Sequence, residues 1–235
     1  AYLHAGGYDP LFHYYAEEYD LSAKLLLAGW RVVFEPGWRV DHRKVDTGRD
    51  MNVILERLVR NNGWVMARYA PSSVRGAMLA EVIDRYGRIA EKEHAVEGYR
   101  RGLVQLQRTL DDQPREEMDE TTWDRFTGLA AAREAIGAAM ARAPFSSASI
   151  VMPGKNEWAV RRALDEHGVA VHEGVAHPGE TLVVGTMSPG PMLDASGMLE
   201  PLGRRVVLPW LSACGAGACV PVVRAIGARV RARAS

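Results

Sequence analysis

Gly6-Gly7-Tyr8-Asp9-Pro10, then Glu17-Glu18-Tyr19-Asp20-Leu21, then Val40-Asp41-His42 follow one another near the start of the chain, and their order decides how the rest is read. The first is a turn, since paired glycines before Asp-Pro take backbone angles that other residues avoid. The second opens a helix. Leu21, Leu25 and Leu26 stack at helical spacing over 20–28, and Gly29 stands where a left-handed residue would end it. Trp30 to Phe34 is rich in β-formers, Pro36-Gly37 signals a turn, and Trp38 to His42 reads as a second strand. Three acids at a helix start also suit the helix dipole alone.

Outward from this stretch, the pattern changes twice. Residues 47–143 read as helical: Met51, Ile54, Leu55, Leu58 and Val59 form one apolar face, and Trp64, Val65 and Ala67 carry it on to a break at Pro71. A second long pattern covers 73–110, an acidic stretch from Asp111 to Glu120 reads as a loop, and a last helix covers about 121–142. Arg57, Arg60 and Arg68 around Trp64 to Met66 would suit a helix at a membrane surface, or an amphipathic helix docked on its own domain. In 144–235 apolar strands at 148–152, 168–171, 181–185 and 205–208 alternate with helical segments, the signature of a small parallel α/β domain.

The bulk numbers bound the function. The 235 residues carry 29 basic and 29 acidic side chains, so no global field recruits nucleic acid. Hydrophobic residues make up 47%, enough for a real core. Cys214 and Cys219 are too few for a disulfide framework, and a cytoplasmic setting is expected, with peripheral contact at the inner face of a membrane as an addition. The chain opens on Ala1 inside a motif, which reads as a fragment, with no leader sequence.

Turn, acidic motif, glycine-ended helix, strand, proline turn, strand and histidine together resemble the C-terminal part of the catalytic domain of family 2 glycosyltransferases, the GT-A fold. The expected architecture is α/β: residues 1–46 as that part of a GT-A domain, 47–143 as a helical connector, and 144–235 as a small Rossmann-like accessory domain. The resemblance implies an inverting transfer of a sugar from a nucleotide-sugar donor to a glycan, lipid or surface acceptor. Glu17-Glu18-Tyr19-Asp20-Leu21 matches the family's acidic motif, usually Glu-Asp-x-Asp-Leu, whose second acid is generally the base; that position is Glu18, with Glu17 in reserve and Asp20 capping the helix or orienting the acceptor. Gly6, Gly7, Tyr8 and Asp9 match the substrate-binding turn. His42 matches a ligand of the Mg²⁺ or Mn²⁺ cofactor. Tyr14, Tyr15, Trp30 and Trp38 offer aromatic surface for sugar rings.

The chain contains no Asp-x-Asp, the motif that in this family holds the cation, so these residues alone are expected to show negligible transfer. Two rivals stand beside this reading. One is a non-catalytic binding or scaffold protein with a degenerate transferase fold. The other is a nucleotide-sensing module in 144–235, where Met152-Pro153-Gly154-Lys155-Asn156-Glu157 and Gly185 to Gly190 follow strands as phosphate-binding turns do. His167, His172 and His177 match no standard zinc spacing and read as surface histidines. The donor sugar, its nucleotide and the acceptor are not encoded in these features.

Overall fold

The computed structural model describes residues 1–33, 48–172, 179–199 and 204–209. It is mixed α/β and divides into two compact units, Ala1–Phe126 and Thr127–Ser235. No helix among the described residues is long and apolar enough to cross a membrane.

In the first unit a 3₁₀ turn at Pro10–Phe12 leads to α1 (Glu17–Leu27), α2 (Met51–Tyr69), α3 (Arg75–Lys92), α4 (Val96–Thr109) and α5 (Glu120–Thr127). Helix α1 ends as its sequence predicts. Gly29 takes φ +78°, its amide reaches Leu26 O at 3.0 Å, and the Trp30 amide reaches Leu25 O at 2.9 Å, which together satisfy the last carbonyls. Residues 30–33 carry β-forming side chains but no strand, because no described strand lies beside them to share a hydrogen-bond ladder. Residues 34–47, including the expected second strand, lie outside the described residues.

Helix α2 is the axis of the unit, with α1, α3 and α4 packed against it. Asp50 caps it by accepting from the Asn52 amide at 2.9 Å. Leu55 and Val59 bury against Val82, Tyr86 and Ala90 of α3, while Trp64, Val65 and Tyr69 bury with Phe12, Ala16 and Ala23. Trp64 and Val65 are thus interior residues of this unit, and the helix is docked along this face. The long pattern over 73–110 is two helices rather than one. The chain reverses at Glu93-His94-Ala95, where His94 takes φ +53°, a left-handed turn with no glycine to announce it.

The α2–α4 contact rests on glycine. Gly98 and Gly102 lie one turn apart on α4, facing Asn52 and Glu56 one turn apart on α2. A Cβ at Gly98 would overlap the Asn52 carbonyl, a backbone atom that cannot rotate away. Gly98→Ala is expected to destabilise the unit by about 2 kcal/mol, since overpacking of about 3 kcal/mol outweighs the helix-propensity gain of about 1 kcal/mol. Gly76→Ala, in open space on α3, is the control and should stabilise slightly. Urea midpoints of the two variants check this; equal midpoints would contradict the close-packing assignment.

The second unit begins with α6 (Leu129–Arg142), separated from α5 by Gly128 at φ +89°, so the expected helix over 121–142 breaks there. It continues with β1 (Ser147–Val151), α7 (Glu157–Glu166), β2 (Ala170–His172), β3 (Thr181–Val184), α8 (Pro189–Leu199) and β4 (Val206–Val207). All three strand pairings are parallel and the order is β2-β1-β3-β4, the small parallel sheet that the alternating pattern predicts. Helix α6 belongs to this unit: Leu129, Ala132, Ile136 and Ala139 share one core with Ala159, Val160, Ala163 and Leu164 of α7 and with Val183 and Val207. Arg133 on α6 also bridges to Glu166 on α7, and that bond, with Arg162, holds the Glu166 carboxyl at about 2. Helix α8 opens on Pro189-Gly190-Pro191; proline is tolerated in a first helical turn, where amides have no intrahelical acceptor.

Candidate functional site

The site residues of the first unit are assembled by one buried charge network. Arg68, 2% exposed near the end of α2, donates from Nη1 to Asp9 Oδ2 at 2.7 Å and to Asp20 Oδ1 at 2.9 Å. Asp20 is fully buried on α1, and its Oδ1 also accepts from the Tyr69 hydroxyl at 2.7 Å. Its Oδ2 pairs with Lys24 Nζ at 2.6 Å, and Lys24 reaches back to Gly7 O at 3.5 Å. Gln113 accepts from Arg68 Nε at 3.0 Å. One guanidinium therefore ties the turn at 6–9, helix α1 and helix α2 into a fixed relation.

The electrostatics follow from these partners. Burial pushes the Asp9 carboxyl up, but the Leu11 amide and the Arg68 guanidinium outweigh it and hold it below its ordinary value. Burial pulls Arg68 down, and its bonds to Asp9 and Asp20 more than reverse that. Burial, aided by the bond to Asp20, drives the Tyr69 phenol far up, so it remains a donor at any working pH. Tyr19, half-buried inside the acidic motif, is pushed up to about 12 by burial and by the neighbouring Glu18.

Above this network lies an open cleft of about 430 Å³ lined by Tyr8, Asp9, Pro10, His13 and Glu17. Of the residues expected from the sequence, Tyr8, Asp9 and Glu17 meet here. Gly6 and Gly7 form the left-handed turn that delivers Tyr8, with φ +78° and +67°; a Cβ at Gly7 would press on the Tyr2 ring at 3.0 Å. Glu17 Oε2 is shielded from solvent and has no hydrogen-bond partner among the described residues. Glu18 is exposed beside it on the first turn of α1. Asp20 does not cap the helix. It sits inside the first turn, because α1 starts at Glu17 and its cap position, Ala16, offers no side-chain acceptor. With one oxygen on Arg68 and the other on Lys24 it positions the motif. Trp38 and His42 lie outside the described residues.

His13, Asn61, Arg68 and Tyr69 are the residues that sequence reasoning did not place in the site. Asn61 and Arg68 did leave a signal: they are polar positions inside the buried stretch of α2, where apolar residues would otherwise be expected. Among the described residues no three His, Cys, Asp or Glu side chains are grouped to hold a metal ion. Asp9 and Asp20 give their oxygens to Arg68, Lys24, Tyr69 and the Leu11 amide, so these residues supply no ligand set for Mg²⁺ or Mn²⁺.

The second unit offers the other candidate, at its own switch point. The chain leaves β1 to one side for β2 and crosses to the other for β3, and ligands of open parallel sheets bind between such strand ends. Here the two loops bond to each other. The Gly185 amide donates to Val151 O at 2.7 Å, the Gly154 amide to Gly185 O at 2.8 Å, and the Met187 amide to Lys155 O at 2.8 Å. The Ser188 amide donates to Thr186 Oγ1 at 3.2 Å. The Gly154, Gly185, Met187 and Ser188 amides are thus engaged within the protein, and Glu157 adds a negative charge to the first turn of α7. His167 binds Ala163 O at 2.8 Å and His172 pairs with Glu180 at 2.6 Å, both local contacts; His177, Cys214 and Cys219 lie outside the described residues. Comparison with protein-family models, curated proteins and solved structures found no match to this chain.

Proposed function

We propose that residues 1–46 are the C-terminal, acceptor-side part of an inverting GT-A glycosyltransferase domain, with the cleft holding a sugar beside the Glu17–Glu18 pair. The observation that carries this reading is the contrast among four acids. Asp9 and Asp20 are committed to Arg68, whereas Glu17 lines the cleft and Glu18 stands accessible next to it. Tyr8 and Tyr14, both about half exposed, add the aromatic faces that suit a sugar ring.

In the reaction the acceptor oxygen attacks the anomeric carbon, the bond to the nucleoside diphosphate breaks with its electron pair, and the acceptor proton goes to a carboxylate. Glu18 takes that proton. Glu17 holds a second hydroxyl of the acceptor, and Arg68 with Asp20 fixes the turn and helix that carry both. No residue described here is assigned to the nucleotide or the diphosphate. The nucleotide-sensing alternative is disfavoured by the bonded loops of the second unit.

The binding half of this proposal is testable on the 235-residue chain. Titration with neutral glucose-, galactose- and mannose-terminated oligosaccharides, followed by amide NMR, should shift Tyr8, His13, Glu17 and Glu18 with a Kd on the order of 1 mM. Glu17→Gln should weaken this about tenfold, the effect of losing one charge-assisted hydrogen bond. No shifts at these amides with any of the sugars would overturn the acceptor assignment.

A further inference from the structure

We infer that Asn61 is the positioning residue of the cleft: its carboxamide holds residues 12–16 in a left-handed path that aims the first turn of α1. The path is unusual for its composition. His13 has φ +57° and ψ −55°, and the Tyr14 amide closes a tight γ-turn on Phe12 O at 2.6 Å. Tyr15 follows at φ +74° and Ala16 at φ +66°. None of the three is glycine, and side chains make this region unfavourable. Helix α1 then starts from Ala16, whose carbonyl accepts from Tyr19 and Asp20 with no side-chain cap to fix the entry.

An external hold is therefore required, and the structure has one. Asn61, fully buried on α2, donates from Nδ2 to Phe12 O at 2.9 Å, Tyr14 O at 3.0 Å and Tyr15 O at 2.7 Å. The left-handed residues His13 and Tyr15 alternate with Phe12 and Tyr14, and this turn gathers the Phe12, Tyr14 and Tyr15 carbonyls around a single carboxamide, which shares one of its two hydrogens. Its Oδ1 accepts from Arg60 Nε at 2.9 Å. Arg60 is itself fixed, by Gln105 Oε1 at 2.7 Å and by stacking on Trp64 at 4.6 Å. The one bond to Asn61 from outside the loop, donated by Arg60, orients the carboxamide with Nδ2 toward the loop. All three donated bonds go to the loop that carries His13 into the cleft and feeds into Glu17 and Glu18. A residue that only filled the core would have no reason to direct its bonds to one segment; Asn61 donates all of its bonds to this loop. The conformational claim stands on the geometry alone, and its meaning for sugar transfer rests on the function proposed above.

The experiment is amide hydrogen exchange on the full 235-residue chain, with oligosaccharide titration in parallel. In Asn61→Ala the amides of Tyr14, Tyr19 and Asp20, which are bonded to Phe12 O and Ala16 O, should exchange at least about tenfold faster while those of α3 and α4 keep their rates. Asn61→Asp keeps the volume but presents only acceptors to three carbonyls, so it should release the same segment at least as far. Adding Ala16→Gly to Asn61→Ala should restore part of the protection, because glycine takes φ +66° without penalty. Should Asn61→Ala not fold, Asn61→Ser with Ala16→Gly carries the same readout, with exchange between wild type and the released state. Uniform acceleration across the unit, unchanged exchange at Tyr14, Tyr19 and Asp20, or no rescue by glycine would overturn the assignment. Local release together with an absence of sugar binding by the wild type would uphold the positioning role and remove the transferase reading.

Discussion

Arg68→Met is expected to destabilise the first unit by about 3–5 kcal/mol, the cost of leaving a buried charge without its partner. The side chain is almost wholly interior and bonded to Asp9, Asp20 and Gln113, and its guanidinium stacks on Phe12 at 5.0 Å. Methionine fills much of the volume, so the loss is electrostatic rather than a cavity. Asp20 would be left at 0% exposure with Lys24 and the Tyr69 hydroxyl only. Adding Asp20→Asn to Arg68→Met should recover a large part of the loss, because the orphaned carboxylate is then neutral. A double-mutant cycle should accordingly give a coupling of about 2 kcal/mol or more. Urea unfolding followed by tryptophan fluorescence measures all three variants; an Arg68→Met cost below about 1 kcal/mol would mean the pair is solvated, as surface pairs are.

The same network has an acid limit. The Asp9 carboxyl is held below its ordinary value in the folded chain, so its contribution is present at neutral pH. It is lost as the pH falls through the depressed folded value, since the unfolded state then takes up the proton more readily. Arg68→Met should flatten that acid-side loss, having removed one of the contacts that depress the carboxyl.

The second large effect lies in the acidic motif. In a protein that joins this chain to a nucleotide-binding half, Glu18→Gln is expected to lower kcat by about 10²–10⁴-fold, the usual contribution of a general base. Its KM for acceptor should change less than its kcat, because Glu18 stands beside the cleft and is not one of its lining residues. Glu17→Gln should show the opposite split, raising KM for acceptor with a smaller effect on kcat, because Glu17 faces the cleft. The split separates proton transfer from binding in a way that loss of folding could not imitate.

Parts of this arrangement were legible in the sequence and parts were not, for physical reasons. Helix α1 was readable from Leu21, Leu25 and Leu26 and its end from Gly29, since spacing and backbone angle are local properties. Its start was not. Asp20 has the look of a cap, but its partners Arg68 and Tyr69 are nearly fifty residues away, and a long-range ion pair leaves no local mark. The break between α3 and α4 was hidden because His94 takes a conformation usually left to glycine. The parallel sheet was readable from alternating apolar runs, whereas α8 was masked by two prolines that its first turn accommodates. Tyr8, Asp9 and Glu17 were singled out and do share a cleft. His13 and Asn61 became visible only when the fold brought α2 beneath the loop.

The most direct test of the transferase reading is transfer of labelled sugar from nucleotide-sugar donors to oligosaccharide acceptors, with Mn²⁺ present, by that joined protein, its Glu18→Gln variant and the 235 residues alone. The expected result is transfer with inversion at the anomeric carbon by the joined protein, a loss of about 10²–10⁴-fold in the variant, and none by the 235 residues alone. Undiminished transfer by Glu18→Gln would contradict the assignment of the base, and no transfer by the joined protein with any donor would contradict the enzyme reading itself.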